Sequence, residues 1–150
     1  MKLRRANVND VKKIYEILKE YSKRGLLLER TMSNIYDNIR DFFILEVNGE
    51  VAGIGSLHVC WEDLGEIRSL CVLDKFLNKG YGRVLVDRCL KDAEELKLKR
   101  VFVLTYNVNF FKKLGFKIID KKILPHKVWS ECVNCPKFPD CDEVAMLKEI

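Results

Sequence analysis

Glu66-Ile67-Arg68-Ser69-Leu70-Cys71-Val72-Leu73-Asp74-Lys75-Phe76-Leu77-Asn78-Lys79-Gly80-Tyr81-Gly82-Arg83 reads as a strand, a glycine-bearing turn and the start of a helix. Residues 66–72 place Ile67, Leu70 and Val72 densely enough for a mostly buried strand. Gly80 and Gly82 are expected to let the chain turn with positive φ and approach a ligand closely. From Tyr81 onward Val84, Leu85, Cys89, Leu90, Ala93 and Leu96 recur at helical spacing. Lys79 and Arg83 flank the turn. The first N–H groups of a helix lack intrahelical partners and carry about half a positive charge, so a phosphate belongs there. Two familiar phosphate loops do not fit. No Gly-Lys-Ser/Thr follows, as a nucleoside triphosphate loop needs, and the third glycine of the dinucleotide fingerprint is missing.

Outward from this stretch the chain alternates element types. Residues 2–6 form a short strand. Asn7 or Asn9 caps a helix to Lys23 with Val11, Ile14, Ile17, Leu18 and Tyr21 on one face, and Gly25 ends it. Residues 26–30 lead to a helix at 33–41 with Met32, Ile35, Tyr36 and Ile39 inward. Asn48-Gly49 joins strands 42–47 and 51–61 as a hairpin. After the 81–96 helix come a strand at 100–106, a short helix at 108–114 stopped by Gly115, a strand at 116–123 and a last one at 143–148. Pro125 opens an irregular cysteine-bearing stretch, residues 124–142. Together these make one α/β domain over residues 1–150, a central mixed sheet flanked by helices.

Composition narrows the function. Of 150 residues 48% are hydrophobic and 33% charged, as in a soluble globular chain. Twenty-seven Lys and Arg against 22 Asp and Glu give a net charge of +5, which suits a small anionic ligand. No basic run with interleaved aromatics marks nucleic-acid binding. No apolar window approaches a membrane span, and the charged N-terminal residues precede no apolar leader core, so a cytoplasmic setting is expected. Cys60, Cys71 and Cys89 fall within elements, as small buried hydrophobes do.

The order strand, Val72, Gly80-x-Gly82 and helix resembles the coenzyme A pyrophosphate loop of the Gcn5-related N-acetyltransferases, although Leu77 stands where that family usually has Gln or Arg. Phe110-Phe111-Lys112-Lys113-Leu114-Gly115-Phe116 resembles the family's second signature, a short aromatic helix closing in Gly-Phe. Arg4-Arg5-Ala6, residues 25–30, Gly65-Glu66-Ile67, residues 101–105 and Phe110-Phe111 look like the acetyltransferase portion of N-acetylglutamate synthase. The stretch from Leu124-Pro125-His126-Lys127 through Cys132, Cys135 and Cys141 looks like the ending of its short, single-domain form.

The resemblance implies acetyl-CoA as co-substrate, held by the backbone of Leu70, Cys71 and Val72, by residues Asn78, Lys79, Gly80, Tyr81, Gly82 and Arg83, and by Phe111. It implies Glu66 as the base, since an amine of pKa about 10.4 is neutral in only about one part in 2,500 at pH 7. Relatives often protonate the leaving thiolate with a tyrosine at the position of Phe111; here Tyr106 or water would serve. An acidic amino acid needs cationic partners, and Arg30 matches a substrate-binding arginine of the synthase pattern, with Arg5, Arg68 and Lys127 as further candidates. Glutamate is the expected acceptor. Another small amine, a protein N-terminus and a non-catalytic acyl-CoA-binding module are the alternatives, and a homodimer is left open. Cys132, Cys135 and Cys141 fit zinc, with His126, Asp140, Asp142 or Glu143 as fourth ligand, but a disulfide or a plain thiol loop is equally compatible with one Cys-x-x-Cys.

Overall fold

A computed structural model describes residues 1–125 and 142–150. Seven strands lie in the hydrogen-bonded order β1-β2-β3-β4-β5-β7-β6 among these residues: β1 Lys2–Arg5, β2 Phe42–Val47, β3 Glu50–Trp61, β4 Leu64–Val72, β5 Arg100–Thr105, β6 Lys117–Ile118 and β7 Val144–Glu149. The helices are α1 Val11–Lys23, α2 Met32–Asp37, α3 Tyr81–Glu95 and α4 Val108–Lys113. The β4–β5 pairing is parallel and those of β1–β2, β2–β3, β5–β7 and β6–β7 are antiparallel, so the sheet is mixed as expected. The chain divides into two compact units, Met1–Leu57 with Arg68–Cys89, and His58–Ile67 with Leu90–Ile150.

In the first unit the run Phe42-Phe43-Ile44-Leu45 is fully buried because helices cover both faces of its strands. Phe42 and Ile44 join Val11, Ile14, Ile17, Leu18 and Tyr21 of α1, together with Ile35, Ile54 and Cys71. Leu45, on the other face, joins Ala52, Phe76 and Leu85. Burying each such side chain stabilises the fold by about 1.5–3 kcal/mol. A 3₁₀ turn at Val8–Asp10 leads into α1 and opens with a capping box: Asn7 accepts from the Asn9 N–H, and Asp10 accepts from the Asn7 N–H. Its exit is Gly25 at φ +74°, where the N–H of Leu26 reaches back to Tyr21 O. Asn48 and Gly49 both take positive φ, 53° and 77°, as a two-residue hairpin turn requires. The absent Cβ of Gly53 leaves room for Leu85 of α3, whose Cδ1 would lie 2.9 Å from it.

The second unit centres on β5, which pairs with β7 along its whole length and with β4 over its first three residues. Cys60, Leu64, Phe102 and Leu124 form its buried cluster. Phe111 packs edge-on against both Phe110 and Phe116, at 4.9 and 5.2 Å between ring centres, and Gly115 at φ +92° closes α4.

Several expectations change. The strand at 116–123 shrinks to Lys117–Ile118, because the Asp120 side chain takes the Lys122 N–H and starts a 3₁₀ turn. The helix at 33–41 starts at Met32 and stops at Asp37, and a separate 3₁₀ turn covers Ile39–Asp41. Tyr36, placed inward by periodicity, is exposed, as is Leu96 beyond the end of α3. Trp61, at the end of β3, is 56% exposed and borders a shallow depression with Glu62. Of the paired glycines only Gly80 turns with positive φ; Gly82 lies in the first turn of α3.

Candidate active site

Strand β4 carries Glu66, the base that the sequence leads one to expect. Its ladder to β5 comprises Leu64↔Arg100, Gly65↔Val101 and Glu66↔Phe102, so Glu66 is the last β4 residue in that pairing. The Glu66 side chain is only 7% exposed. Burial on a strand keeps this carboxylate largely from bulk water. Three residues on, Ser69 holds φ +54° inside the strand. A non-glycine residue there carries backbone strain of about 1–3 kcal/mol and interrupts the alternation of side chains. Its hydroxyl accepts a hydrogen bond from Arg30 Nη1 at 3.1 Å. Arg30 also donates from Nε to Asn34 Oδ1 at 2.6 Å and lies over the Phe42 ring at 5.0 Å. The guanidinium is thereby held against β4. Arg68, half-buried beside Ser69, has its backbone carbonyl bonded by the Ser56 hydroxyl at 2.8 Å. Arg5 is exposed on β1, where it donates to Arg40 O at 2.8 Å and sits over Phe43.

Beyond β4 the chain makes a 3₁₀ turn at Asp74–Phe76, anchored by buried Phe76 edge-on to Tyr81. Asn78 at φ +61° and Gly80 at +83° then reverse it. The Val84 N–H bonds Gly80 O at 3.3 Å, so α3 begins at this carbonyl and the N–H groups of Tyr81, Gly82 and Arg83 belong to its first turn. Residues 77–80 are exposed, and a Cβ placed on Gly80 would meet nothing within 4 Å. An open, cation-flanked helix start is what an anionic phosphate ligand requires.

Leu70 and Val72 are half-buried on β4, and Cys71 between them is buried. Burial pushes the Cys71 thiol up to about 12, so at neutral pH it stays protonated and offers no thiolate nucleophile. Tyr106, just past β5, is 45% exposed and donates its hydroxyl hydrogen to Asp142 at 2.6 Å. Phe111 is buried among its aromatic neighbours. Lys127, Cys132, Cys135 and Cys141 lie outside the described residues, as do His126 and Asp140. Among the described residues no group of three or more His, Cys, Asp and Glu is gathered to hold a metal. No helix there is long and apolar enough to cross a membrane.

Sequence reasoning missed Ser69, since nothing in a serine's surroundings announces a left-handed backbone within a strand. It also missed the meeting of Tyr21, Arg24 and Asp74, which forms only once the chain is folded.

The model of the acetyltransferase (GNAT) family matches residues 11–116. The chain is 43% identical to an uncharacterized N-acetyltransferase of Chlorobaculum tepidum, over 99% of this chain and 96% of that protein. It is 38% identical to an amino-acid acetyltransferase of Mycobacterium tuberculosis, over 86% of this chain and 75% of the other. Among solved structures, that of Rv2747 from Mycobacterium tuberculosis in complex with CoA and NLQ is similar at a TM-score of 0.84 and 32% identity, covering 100% of this chain and 99% of that one.

Proposed function

The chain belongs to the acetyltransferase (GNAT) family, and from that premise we propose that it transfers the acetyl group of acetyl-CoA to the α-amine of L-glutamate. N-acetyl transfer is the family's reaction class; the acceptor is the proposal. The observation that carries it is Arg30, whose guanidinium is bonded to Ser69 and Asn34 and lies over Phe42. A guanidinium fixed against Ser69 suits an acceptor bearing carboxylates beside its amine. The amino-acid acetyltransferase of Mycobacterium tuberculosis at 38% identity supports the same acceptor class.

Coenzyme A is proposed to lay its pyrophosphate over the start of α3, against the backbone of residues 78–83. The β4 edge at residues 70–72 would pair with the amide-rich arm, as another strand does. Glu66 takes the proton of the substrate ammonium, directly or through water. The freed amine lone pair attacks the thioester carbon, the carbon–sulfur bond breaks, the nitrogen sheds its second proton to water, and coenzyme A leaves as a thiolate. A thiol of pKa about 8.5 is a tolerable leaving group, so the thiolate can collect its proton from water. Tyr106 as donor would have to share its hydrogen with Asp142. The protonated Cys71 favours direct transfer over an acyl-enzyme.

Arginine biosynthesis in the cytoplasm goes with this acceptor, and the buried thiols of Cys60, Cys71 and Cys89 among the described residues suit a reducing compartment. Zinc at Cys132, Cys135 and Cys141 is proposed from their spacing alone, and metal analysis of purified protein should then find it near-stoichiometric. The acceptor is tested by following thiol release from acetyl-CoA as glutamate is added. Glutamate-dependent release is expected; none above the hydrolysis background would refute the proposal.

A further inference from the structure

The segment 24–30 is tied down at both ends. At one end Arg30 donates to Ser69 on β4. At the other the Arg24 guanidinium grips the Asp74 carboxylate with two parallel bonds, Nη1 to Oδ2 at 2.7 Å and Nη2 to Oδ1 at 2.8 Å. The same guanidinium stacks over the Tyr21 ring, 4.4 Å from its centre, and the Tyr21 hydroxyl accepts the Asp74 N–H at 2.9 Å. A lone surface pair is held loosely, but a two-pronged pair with a stacked face and a second bond to the partner's backbone has a fixed geometry. Asp74 opens the 3₁₀ turn that leads into residues 78–83. Its carboxylate stands shortly before a stretch assigned to a pyrophosphate, and Arg24 neutralises it.

We propose that Arg24 and Asp74 are positioning residues that couple coenzyme binding to the order of segment 24–30, so that bound acetyl-CoA sets Arg30 before the acceptor arrives. This rests on the coenzyme site assigned above. A ligand that fixes residues 74–83 fixes Arg24 through the bridge, and the segment's ordering entropy is then spent before the second ligand binds. Coupling of this kind is reciprocal.

Hydrogen exchange on the full chain, with and without coenzyme A, tests it. In the wild type, coenzyme A should slow exchange of the amides of residues 27–30 by about five- to tenfold. In Asp74→Asn and in Arg24→Ala, both with coenzyme A bound, that slowing should vanish. Slowing that persists in both variants, or is absent from the coenzyme-bound wild type, overturns the inference. In turnover, either variant should raise the glutamate KM about five- to tenfold and change kcat less than about twofold, a split that general loosening would not give. A double variant much worse than either single one also overturns it, because two halves of one bridge cannot be lost twice. If the wild type binds coenzyme A but releases no thiol with glutamate, the acceptor proposal falls and the exchange experiment still decides this one.

Discussion

Replacing Glu66 by Gln tests the base with the least disturbance to the fold. The side chain is 7% exposed, and glutamine keeps its shape while removing the charge, so no cavity opens. Stability is measured alongside by urea denaturation, so that a folding defect is not mistaken for a catalytic one. Turnover is another matter. Losing a general base typically costs about 10² to 10⁴ in rate, or about 2.7–5.4 kcal/mol of barrier. The glutamate α-amine is mostly protonated at pH 7, and each pH unit towards its pKa raises the neutral share about tenfold. The deficit should therefore shrink by up to about tenfold per unit as solution takes over the deprotonation. The assay is thiol release at saturating acetyl-CoA from pH 7 to 9.5, with coenzyme A affinity measured alongside and expected to be nearly unchanged. Wild-type turnover at pH 7, or a deficit constant across this range, would remove Glu66 from the mechanism.

Three further outcomes are expected. Gly80→Asp adds a negative charge at the start of α3 where a Cβ meets open space, so calorimetry should show weakened coenzyme A binding; undiminished affinity would displace the site. Arg30→Ala should raise the glutamate KM about 10- to 150-fold, the worth of one charge-assisted contact of about 1.5–3 kcal/mol, and the acetyl-CoA KM little; equal effects on both would remove Arg30 from the acceptor site. The Arg4 guanidinium, by bonding the Asp10 carboxylate, holds it below the usual carboxylate range against the opposing effect of burial. A lowered folded pKa means that Asp10 contributes stability above its unfolded value near about 3.9, which drains as pH falls through the folded one. Asp10→Asn should destabilise the fold at pH 7 by about 0.5–1.5 kcal/mol, the net worth of a hydrogen bond, and flatten the stability profile at acid pH; a urea series with unchanged acid dependence would contradict this.

The fold was legible because its signals were local or periodic. Asn48-Gly49 carries its own turn geometry. The α1 stripe of Val11, Ile14, Ile17, Leu18 and Tyr21 repeats at helical spacing and is buried throughout. Phe116 to Ile123 misled because its alternation outlasts its pairing: β6 finds β7 for two residues, and Asp120 then diverts the backbone. At the site, the Gly80 turn could be read from glycine's freedom, and Arg30 and Glu66 from the resemblance. The contacts that position them could not. Arg30 meets Ser69 across 39 positions, and Arg24 meets Asp74 across 50, distances over which sequence carries no spacing rule. Burial, which decides that Cys71 is no nucleophile, also appears only on folding.

The acceptor is best tested by comparing glutamate with glutamine, which differ by one carboxylate. With acetyl-CoA saturating, thiol release measured for both, and the acetylated products identified by mass spectrometry, glutamate should have a kcat/KM about 10- to 150-fold higher, since glutamine forfeits one charge-assisted contact to the pocket arginine. A preference for glutamine, or for a cationic amine, would contradict glutamate as the acceptor while leaving N-acetyl transfer in place.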